Sequence, residues 1–397
     1  MSHALDRLRE HVLPVAKAHA EAVDRDSRFP QETFDALKAQ RLMGALIPAS
    51  HGGEGLTLTQ VADLCSTLAQ ACGSSALIYA MHFIKVSSLV SHGHGSPWHE
   101  AFMARVAAEQ LLLGSATTEG GVGGDLRSSI CAVQRSGQGE QATFTLEKDA
   151  TVISYGAQSD AILITARKDA NAPASDQVMV VAERHQMTLT CTGGWDTFGM
   201  RGTCSEGFAL RVNDAPAQQI FPLPFADIAA QSMLGTTHIL WASVWYGLAA
   251  EAASRAQALV RADMRRRNAS AQAGAATSPA MARLAELATA VQAMRGGIMG
   301  AIERLERAHA DPAQLETVGF LMDMNTLKVN ASQAVVDILN RCMLVCGIHG
   351  YRNDTPHSLS RLMRDAHSAP IMINNDRILT NMANLVLMNR FGGQLAG

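Results

Sequence analysis

The spacing of apolar residues changes twice along the chain. From residue 1 to about 112, apolar positions recur every three to four residues, as in FPQETFDALKAQRLMGALIP and LTLTQVADLCSTLAQAC, and this period predicts amphipathic helices. From about 113 to 225, short runs such as QATFTL, DAILITAR and QVMVVAE are separated by Gly, Asp, Asn and Pro, which predicts strands joined by turns. The helical period returns from about 226.

Long helices are predicted in the last part of the chain. Each of three segments is rich in Ala or Leu and is bounded by Gly, Pro or Asn; the segments are 239–267, 280–310 and 316–347. Long amphipathic helices in succession favour an antiparallel bundle. The sequence therefore predicts an α+β, mainly α protein. Its expected domains are an N-terminal α-helical domain (1–112), a middle β domain (113–225) and a C-terminal helical bundle (226–397).

Composition excludes several classes of protein. The chain has 397 residues, of which 47% are hydrophobic and 17% charged, so it can bury a large core. A net charge of −3 provides no basic field for nucleic acid. No apolar run approaches the ~20 residues that cross a bilayer, and the first residues are charged throughout, unlike a secretory signal. We expect a cytoplasmic protein without nucleic-acid or membrane partners.

Cysteine and histidine spacing gives no metal signal. The seven cysteines contain no CxxC pair, and the 14 histidines contain no HExxH motif. Cys342 and Cys346 lie in an apolar stretch and are interpreted as small buried hydrophobic residues. We therefore expect no metal site.

Four short motifs carry the candidate chemistry. The segment SATTEGGVGGDL (115–126) places four glycines directly before the β region, where the backbone can approach a ligand closely or form a flexible loop. The segment TVIS (151–154) ends a strand on a hydroxyl. GMRGTCS (199–205) predicts a turn between strands, and CGIHGY (346–351) interrupts a helix. Each motif taken alone is also compatible with a plain loop or hairpin.

Taken together, in this order and spacing, the motifs resemble those of the acyl-CoA dehydrogenase superfamily along nearly the whole chain. The family's TEPGAGSD is matched by residues 118–125, its W-I-T/S flavin contact by 152–154, its GMRG turn by 199–202, and its GGxGY by 347–351, followed by Arg364-Asp365. The resemblance implies an N-terminal helical domain, a middle β-barrel-like domain and a C-terminal four-helix bundle, with FAD in the cleft between them. It also implies a flavin-dependent oxidoreductase.

The resemblance assigns cofactor contacts residue by residue. Thr118 and its surrounding backbone would meet the flavin ring, and the Ser154 hydroxyl would reach the flavin N5 edge. The other implied cofactor-binding residues are Gly123, Gly124, Ile153, Arg266, Gly347 and Gly350. The family's R-x-x-FG falls on the basic stretch 265–267, without the Phe-Gly, and its Gln before GGxGY is Leu344. Weaker anchoring of the adenosine end makes FMN or a diffusible reduced flavin the alternative to FAD.

The family's usual catalytic base is missing. Dehydrogenation of an acyl thioester needs a carboxylate that removes the α-proton while hydride leaves for the flavin. The family's Glu, eight residues after Arg-Asp, falls on Ile373, and the alternative Glu position falls on Thr237. The neighbouring family Arg is His238. A relocated base is the remaining route to that chemistry, with Asp376 and then Glu119 as candidates.

These departures resemble the two-component flavin monooxygenase branch, whose members take reduced flavin from a separate reductase and need no α-proton base. By that resemblance, His82, Ser154, His238 and His367 would line one cleft as catalytic residues. We therefore expect a reduced-flavin monooxygenase or hydroxylase that acts on a small molecule. Two alternatives stay open: a dehydrogenase that oxidises an acyl-CoA or acyl-carrier-protein thioester to the 2,3-enoyl form, and a noncatalytic scaffold paralogue. The family also implies a homotetramer, with a homodimer as the second choice.

Overall fold

The chain begins with a group of helices. The computed structural model describes residues 3–122, 125–269 and 279–387. The first helices are α1 (His3–Arg7), α2 (Leu13–Arg25), α3 (Gln31–Ala39), α4 (Leu58–Ala69), α5 (Gly73–His92) and α6 (Pro97–Glu109). A π-helical turn, Leu8–Val12, joins α1 to α2.

Helix α4 begins at a capping box, and helix α5 forms the centre of this group. The Gln60 N–H donates to the Thr57 hydroxyl at 3.3 Å, and the Thr57 N–H donates to Gln60 Oε1 at 2.9 Å, so two donors at the helix start are satisfied. Helix α5 is buried on nearly all sides because apolar residues cover every face. Its polar side chains, among them His82 and Lys85, must therefore find partners inside the protein.

The middle of the chain forms two four-stranded sheets. One has the order β1-β4-β5-β8 and the other the order β2-β3-β7-β6, and every strand pair except β1 with β4 is antiparallel. The strands are β1 (Leu113–Ala116), β2 (Gln134–Ser136), β3 (Thr143–Ile153), β4 (Ala161–Arg167), β5 (Gln177–Glu183), β6 (Met187–Gly193), β7 (Glu206–Pro216) and β8 (Ile220–Pro224). Side chains from both sheets, such as Ile164 and Phe144, share one apolar core.

The rest of the described chain is helical. The helices are α7 (Phe225–Ile228), α8 (Leu234–Ala269), α9 (Pro279–Ala310), α10 (Val318–Cys346), α11 (Ile348–Tyr351), α12 (Ser360–Ala366) and α13 (Asn375–Val386). Helix α8 packs on α9 and α10, and α13 packs on α10, which completes a four-helix arrangement. Helix α8 also packs on α4 and α5 of the N-terminal group.

One apolar core joins the three parts of the chain. It includes Phe83 of α5, Met179 of β5, Trp245 of α8 and Leu339 of α10. The predicted α+β, mainly α fold class is confirmed. Within the described ranges, no helix combines the length and the apolar character needed to cross a bilayer.

Candidate active site

Ser154 lies directly after strand β3 and is half-buried. Its Oγ lies 2.8 Å from Ser205 Oγ, which lies 2.8 Å from Thr203 Oγ1, and the Thr203 hydroxyl donates to the Met200 carbonyl at 2.9 Å. Ser205 and Thr203 are buried. The hydroxyl predicted at the strand end is therefore the open end of a hydroxyl chain, Ser154–Ser205–Thr203, that leads into the 199–205 turn.

The strand end and the turn share a strained backbone. Tyr155, Met200 and Cys204 adopt left-handed conformations, with φ values of 43°, 51° and 44°. A non-glycine residue in that region carries about 1–3 kcal/mol of strain, and such strain clusters at functional sites. The Tyr155 N–H donates to the carbonyls of Thr203 at 2.8 Å and Cys204 at 3.1 Å, which ties the strand end to the turn. The cluster marks this junction as a candidate site.

The 199–205 turn packs directly on helix α12. A Cβ at Gly199 would overlap the Arg364 carbonyl, so the close approach requires glycine at this position. The Met200 N–H donates to Asp365 Oδ1 at 2.7 Å. Burial raises the pKa of Asp365 to about 6. The GMRG turn and the Arg-Asp pair, which were recognised separately in the sequence, therefore form one structural unit.

His367 is brought to the same unit. It is exposed at the C-terminal end of α12, and its ring lies edge-on to Phe198 with the ring centroids 6.0 Å apart. Phe198 is 66% exposed although it is a large aromatic residue. Arg364 holds this segment because it pairs with Asp24 and donates to the Phe198 carbonyl at 3.1 Å. His367 thus lies beside the exposed ring of Phe198, directly before the 199–205 turn to which Ser154 is hydrogen-bonded.

Thr118 and Glu119 fasten the glycine-rich loop to the β domain. The Thr118 hydroxyl donates at 2.7 Å to the carbonyl of Val152, two residues before Ser154. The buried Glu119 carboxylate accepts from Ser129 Oγ, Lys148 Nζ and the N–H groups of Ile130 and Cys131. Burial opposes ionisation of Glu119, but these bonds outweigh it and lower its pKa. Glu119 is therefore a structural anchor, and the structure contradicts its use as a relocated base.

His82 is enclosed where the N-terminal helices meet strand β1. Its Nε2 donates to the Met43 carbonyl at 2.8 Å, and its Nδ1 accepts from the Leu113 N–H at 3.1 Å. Burial lowers its pKa to about 4, so the ring is neutral. The Tyr155 hydroxyl donates to the carbonyl of the same Leu113 at 3.0 Å, which places His82 near the strand end. Both of its nitrogens are occupied and its side chain is fully buried, so the structure does not support the predicted catalytic role.

His238 lies on the inner face of α8. Its Nδ1 donates to the Met324 carbonyl of α10 at 2.9 Å, and burial lowers its pKa to about 4. The neutral ring carries its proton on Nδ1, so Nε2 is the basic nitrogen.

Trp241 and Trp245 follow His238 by one and two turns along the same face of α8. Their buried indole N–H groups have no hydrogen-bond partner among the described residues. Unsatisfied donors in such a position are ready to bind acceptor atoms of a ligand.

The two positions that the family resemblance assigned to a base carry no carboxylate. Thr237 is buried in α8, and Ile373 is half-buried with a left-handed φ of 52°. The Ile373 carbonyl accepts from Lys328 Nζ at 2.6 Å, and Lys328 also donates to Asn375 Oδ1 at 2.7 Å. Burial lowers the pKa of Lys328 to about 8, and its Nζ lies 5.9 Å from the Trp245 ring centroid. A buried ammonium therefore holds the backbone where the family resemblance predicts a carboxylate.

Sequence reasoning missed Lys328, and the reason is physical. A lysine in a long amphipathic helix is normally solvated, so its charge suggested an exposed position. Its flanking residues, Leu327 and Val329, are also buried. That apolar setting was the one signal of burial in the sequence.

Asp376, the other candidate for a relocated base, is exposed in the first turn of α13, where its negative charge stabilises the start of the helix.

Two of the remaining predicted cofactor residues, Ile153 and Arg266, can be compared with the structure. The Ile153 side chain is buried in the core of the β domain, which leaves its backbone to face a cofactor. Arg266 is exposed on α8 and pairs with Asp263. The predicted contact of Arg266 with a cofactor stays a prediction. Gly123 and Gly124 lie outside the described residues.

Gly347 and Gly350 shape the link between α10 and α11. Gly347 is exposed and has a φ of +54° and a ψ of −135°, a conformation that suits glycine alone. Gly350 is buried, and a Cβ there would lie 2.7 Å from Cys346 Cβ. Both glycines are therefore required by the backbone, and their predicted contact with a cofactor stays a prediction.

An open groove lies elsewhere on the β domain. Its volume is about 1030 Å³, and Arg135, Lys168, Phe221 and Leu223 are among its lining residues. None of the motif residues lines this groove. The strained backbone and the hydroxyl chain favour the junction at the 199–205 turn as the candidate site. Within the described ranges, no cluster of three His, Cys, Asp or Glu side chains is arranged to hold a metal ion.

Comparison with known families decides the ancestry of this site. Residues 3–110 match the acyl-CoA dehydrogenase N-terminal domain, and residues 229–388 match the acyl-CoA dehydrogenase C-terminal domain. The chain belongs to the acyl-CoA dehydrogenase superfamily. The known relatives of this superfamily member are flavin-dependent enzymes, and the predicted flavin oxidoreductase class is confirmed.

Relatives named as a dehydrogenase and as a nitrososynthase both align with nearly the whole of this superfamily member. It is 23% identical over 389 residues to a cyclohex-1-ene-1-carbonyl-CoA dehydrogenase of Geobacter metallireducens, with 97% of each chain covered. It is 27% identical over 377 residues to the amino sugar nitrososynthase DnmZ of Streptomyces peucetius, with 92% of this chain and 88% of that one covered. The FMN-bound structure of TdsC from Paenibacillus sp. A11-2 matches with a TM-score of 0.81 at 20% identity over 98% of both chains.

The residues at the junction fit a flavin. An isoalloxazine ring presents carbonyl and nitrogen atoms on a flat apolar body. The junction offers a half-buried hydroxyl at Ser154 and the open ring of Phe198, and helix α8 carries unsatisfied indole N–H groups at Trp241 and Trp245. A bound flavin would supply the redox chemistry, and Ser154 and Phe198 would supply a hydrogen bond and apolar contact.

Proposed function

We propose that this superfamily member is a reduced-flavin monooxygenase that takes its flavin from a separate reductase and oxygenates a small molecule. The observation that carries the proposal is that neither of the two positions that the family resemblance assigns to a base carries a carboxylate. Ile373 is aliphatic and its carbonyl is held by Lys328, while Thr237 is a buried hydroxyl. Neither side chain removes an α-proton at ordinary pH. Glu119 is committed to four donors, so it offers no substitute.

Each proposed residue has a distinct role. Ser154 holds the N5 edge of the flavin. His238, whose buried ring is neutral, offers its Nε2 as a hydrogen-bond acceptor. His367 is exposed beside Phe198, on the side from which a substrate can approach, and exchanges protons with it. The similarity to an amino sugar nitrososynthase and to TdsC, a dibenzothiophene monooxygenase, supports oxygenation of a small molecule.

The proposed cofactor is a reduced flavin that exchanges with solution. The Phe-Gly that follows the family arginine is absent from this chain, and Arg266 pairs with Asp263 on its own helix. Both features weaken anchoring of an adenosine end, so FMN and FAD are the two candidates. The FMN bound to TdsC supports the smaller one.

Acyl-thioester dehydrogenation is the second candidate. The cyclohex-1-ene-1-carbonyl-CoA dehydrogenase matches this chain over 97% of both lengths, which favours that chemistry. A base outside the two usual positions would then be required.

Flavin binding separates these functions. Oxidised and dithionite-reduced FMN and FAD are titrated into the purified protein without oxygen, and butyryl-CoA is then added to the protein with FAD. The expected result is at least tenfold tighter binding of the reduced flavin and no bleaching by butyryl-CoA. FAD that copurifies at one per subunit and bleaches would establish the dehydrogenase. Failure to bind either redox state would indicate the scaffold paralogue.

A further inference from the structure

The hydroxyl chain ends on an atom that carries no hydrogen. Its three oxygen–oxygen contacts are Ser154 to Ser205 at 2.8 Å, Ser205 to Thr203 at 2.8 Å, and Thr203 to the Met200 carbonyl at 2.9 Å. Two oxygens at such distances repel each other unless a hydrogen lies between them. Each of the three contacts therefore needs one hydrogen.

Counting hydrogens fixes the direction of every bond in the chain. Three hydroxyls supply three hydrogens, and the Met200 carbonyl supplies none. The Thr203 hydrogen must therefore point to Met200. The Ser205 hydrogen must then point to Thr203, and the Ser154 hydrogen to Ser205. Ser154 consequently presents lone pairs, and no hydrogen, on its open side.

The surroundings keep the chain in this state. Ser205 is 5% exposed and Thr203 is 1% exposed, so solvent does not compete for their hydrogens. The Met200 carbonyl is held in place by the Trp195 indole N–H at 3.0 Å, and the Met200 N–H is held by Asp365 Oδ1 at 2.7 Å. The end of the chain is thus fixed by the strained turn and helix α12.

The two redox states of a flavin differ at the atom that faces Ser154 in the proposed function. The N5 of a reduced flavin carries a hydrogen and donates, whereas the N5 of an oxidised flavin can only accept. We infer that Thr203 and Ser205 set the redox preference of the site, because they hold Ser154 as an acceptor that pairs with reduced flavin and opposes oxidised flavin. This inference rests on the proposed function, and it assigns positioning roles to two residues that do not contact the flavin.

Thr203→Val tests the inference. Valine matches the shape of threonine, and the Met200 carbonyl keeps its N–H donors from Trp195 and residue 203. Ser205 and Ser154 then hold two hydrogens for one contact, so Ser154 becomes free to donate. We expect oxidised FMN to gain about tenfold in affinity relative to dithionite-reduced FMN, the effect of about one hydrogen bond. The midpoint potential of bound FMN should fall by about 30 mV, the equivalent of tenfold for two electrons.

Two further variants complete the experiment. Thr165→Val is the matched control, because Thr165 is a buried strand residue of the same domain outside the hydroxyl chain. It should leave the affinity ratio and the potential unchanged. Ser205→Ala removes the middle hydroxyl and should shift both quantities in the same direction as Thr203→Val, which keeps the test available if one variant fails to fold.

The outcomes separate the two proposals. The wild-type protein could bind reduced FMN tightly while neither Thr203→Val nor Ser205→Ala changes the affinity ratio or the midpoint potential. That result would overturn the inference and leave the proposed function standing. A wild-type protein that binds no reduced flavin would overturn the proposed function, and the inference with it. A shift of equal size in Thr165→Val would also overturn the inference, because the effect would not be specific to the chain.

Discussion

Ile373 is the single residue on which the reaction class depends most. A β-branched residue with a φ of 52° is strained, and the Lys328 ammonium holds its carbonyl. The family resemblance places a glutamate at this position, and this chain has an aliphatic side chain there. The position therefore supplies no base.

Ile373→Glu should introduce weak dehydrogenase activity. The wild-type protein with FAD is expected not to bleach with butyryl-CoA, and the variant is expected to bleach slowly. The gain should be small because His238 replaces the family's neighbouring arginine and because burial raises the pKa of a glutamate. Anaerobic stopped-flow absorbance measures the rate. Ile373→Gln, which matches the shape but supplies no base, is the control. Wild-type bleaching at about 1 s⁻¹ or faster, typical of enzymes, would contradict the monooxygenase proposal.

At the scale of elements, the contact between the 199–205 turn and helix α12 unites the site. Asp365 accepts from the Met200 N–H, and Gly199 allows the turn to meet the Arg364 carbonyl. Burial raises the pKa of Asp365 to about 6, although Arg361 and Arg364 attract its negative form; Asp24 adds to the rise. The stability of this contact therefore depends on the protonation of Asp365 and on the close approach that Gly199 allows.

Asp365→Asn should change how stability depends on pH. The folded-state pKa of about 6 exceeds the unfolded value of 3.8, so the folded state binds the proton more tightly. The stabilisation from this group is complete below pH 4 and is lost as the pH rises through 6. The asparagine variant keeps an acceptor for Met200 and does not titrate. Its free energy of unfolding should rise relative to wild type between pH 4 and 7, by up to roughly 3 kcal/mol.

Urea unfolding at pH 4, 5, 6 and 7 measures this difference. Asp35→Asn, at an exposed position on α3, is the matched control and should give a nearly constant difference from wild type. A difference between Asp365→Asn and wild type that does not vary with pH would show that Asp365 titrates normally in the folded protein.

At the scale of the whole molecule, one end of the C-terminal bundle exposes apolar side chains close together in sequence. Leu344 and Ile348 are each 64% exposed, and Tyr351 is 75% exposed. Large exposed apolar side chains that lie close together are typical of surfaces that a partner covers. A second copy of the chain is the occupant that the family resemblance implies.

We expect the protein to be a homotetramer, with a homodimer as the second choice. The double substitution Ile348→Glu and Tyr351→Glu places charge on this surface and should shift the assembly to smaller species, as measured by light scattering at micromolar concentration. Leu223→Glu, on an exposed strand of the β domain, should leave the mass unchanged. A monomeric mass for the wild-type protein would contradict the prediction.

The architecture and the ancestry of this protein could be predicted from its residue pattern and motifs. The change from a helical period to short strands and back predicted the fold class, because these periods follow from local backbone geometry. The motifs at 118–125, 199–202 and 347–351 predicted the superfamily, which the domain matches confirmed. Glycines such as Gly199 and Gly347 were recognisable because close approach or positive φ leaves no other choice at those positions.

The partners of each candidate side chain became visible only once the elements were packed together. His82 was predicted to be catalytic, but its two nitrogens are taken by backbone groups distant in sequence. Lys328 was not singled out from the sequence, and it is buried with its ammonium bonded to the Ile373 carbonyl. The partnership of Ser154 with Ser205 joins residues 51 positions apart. Helical and strand periods specify which face of an element is buried, and they do not specify which polar groups meet there. Those pairings arise when the elements pack, because a buried polar group must then find a partner.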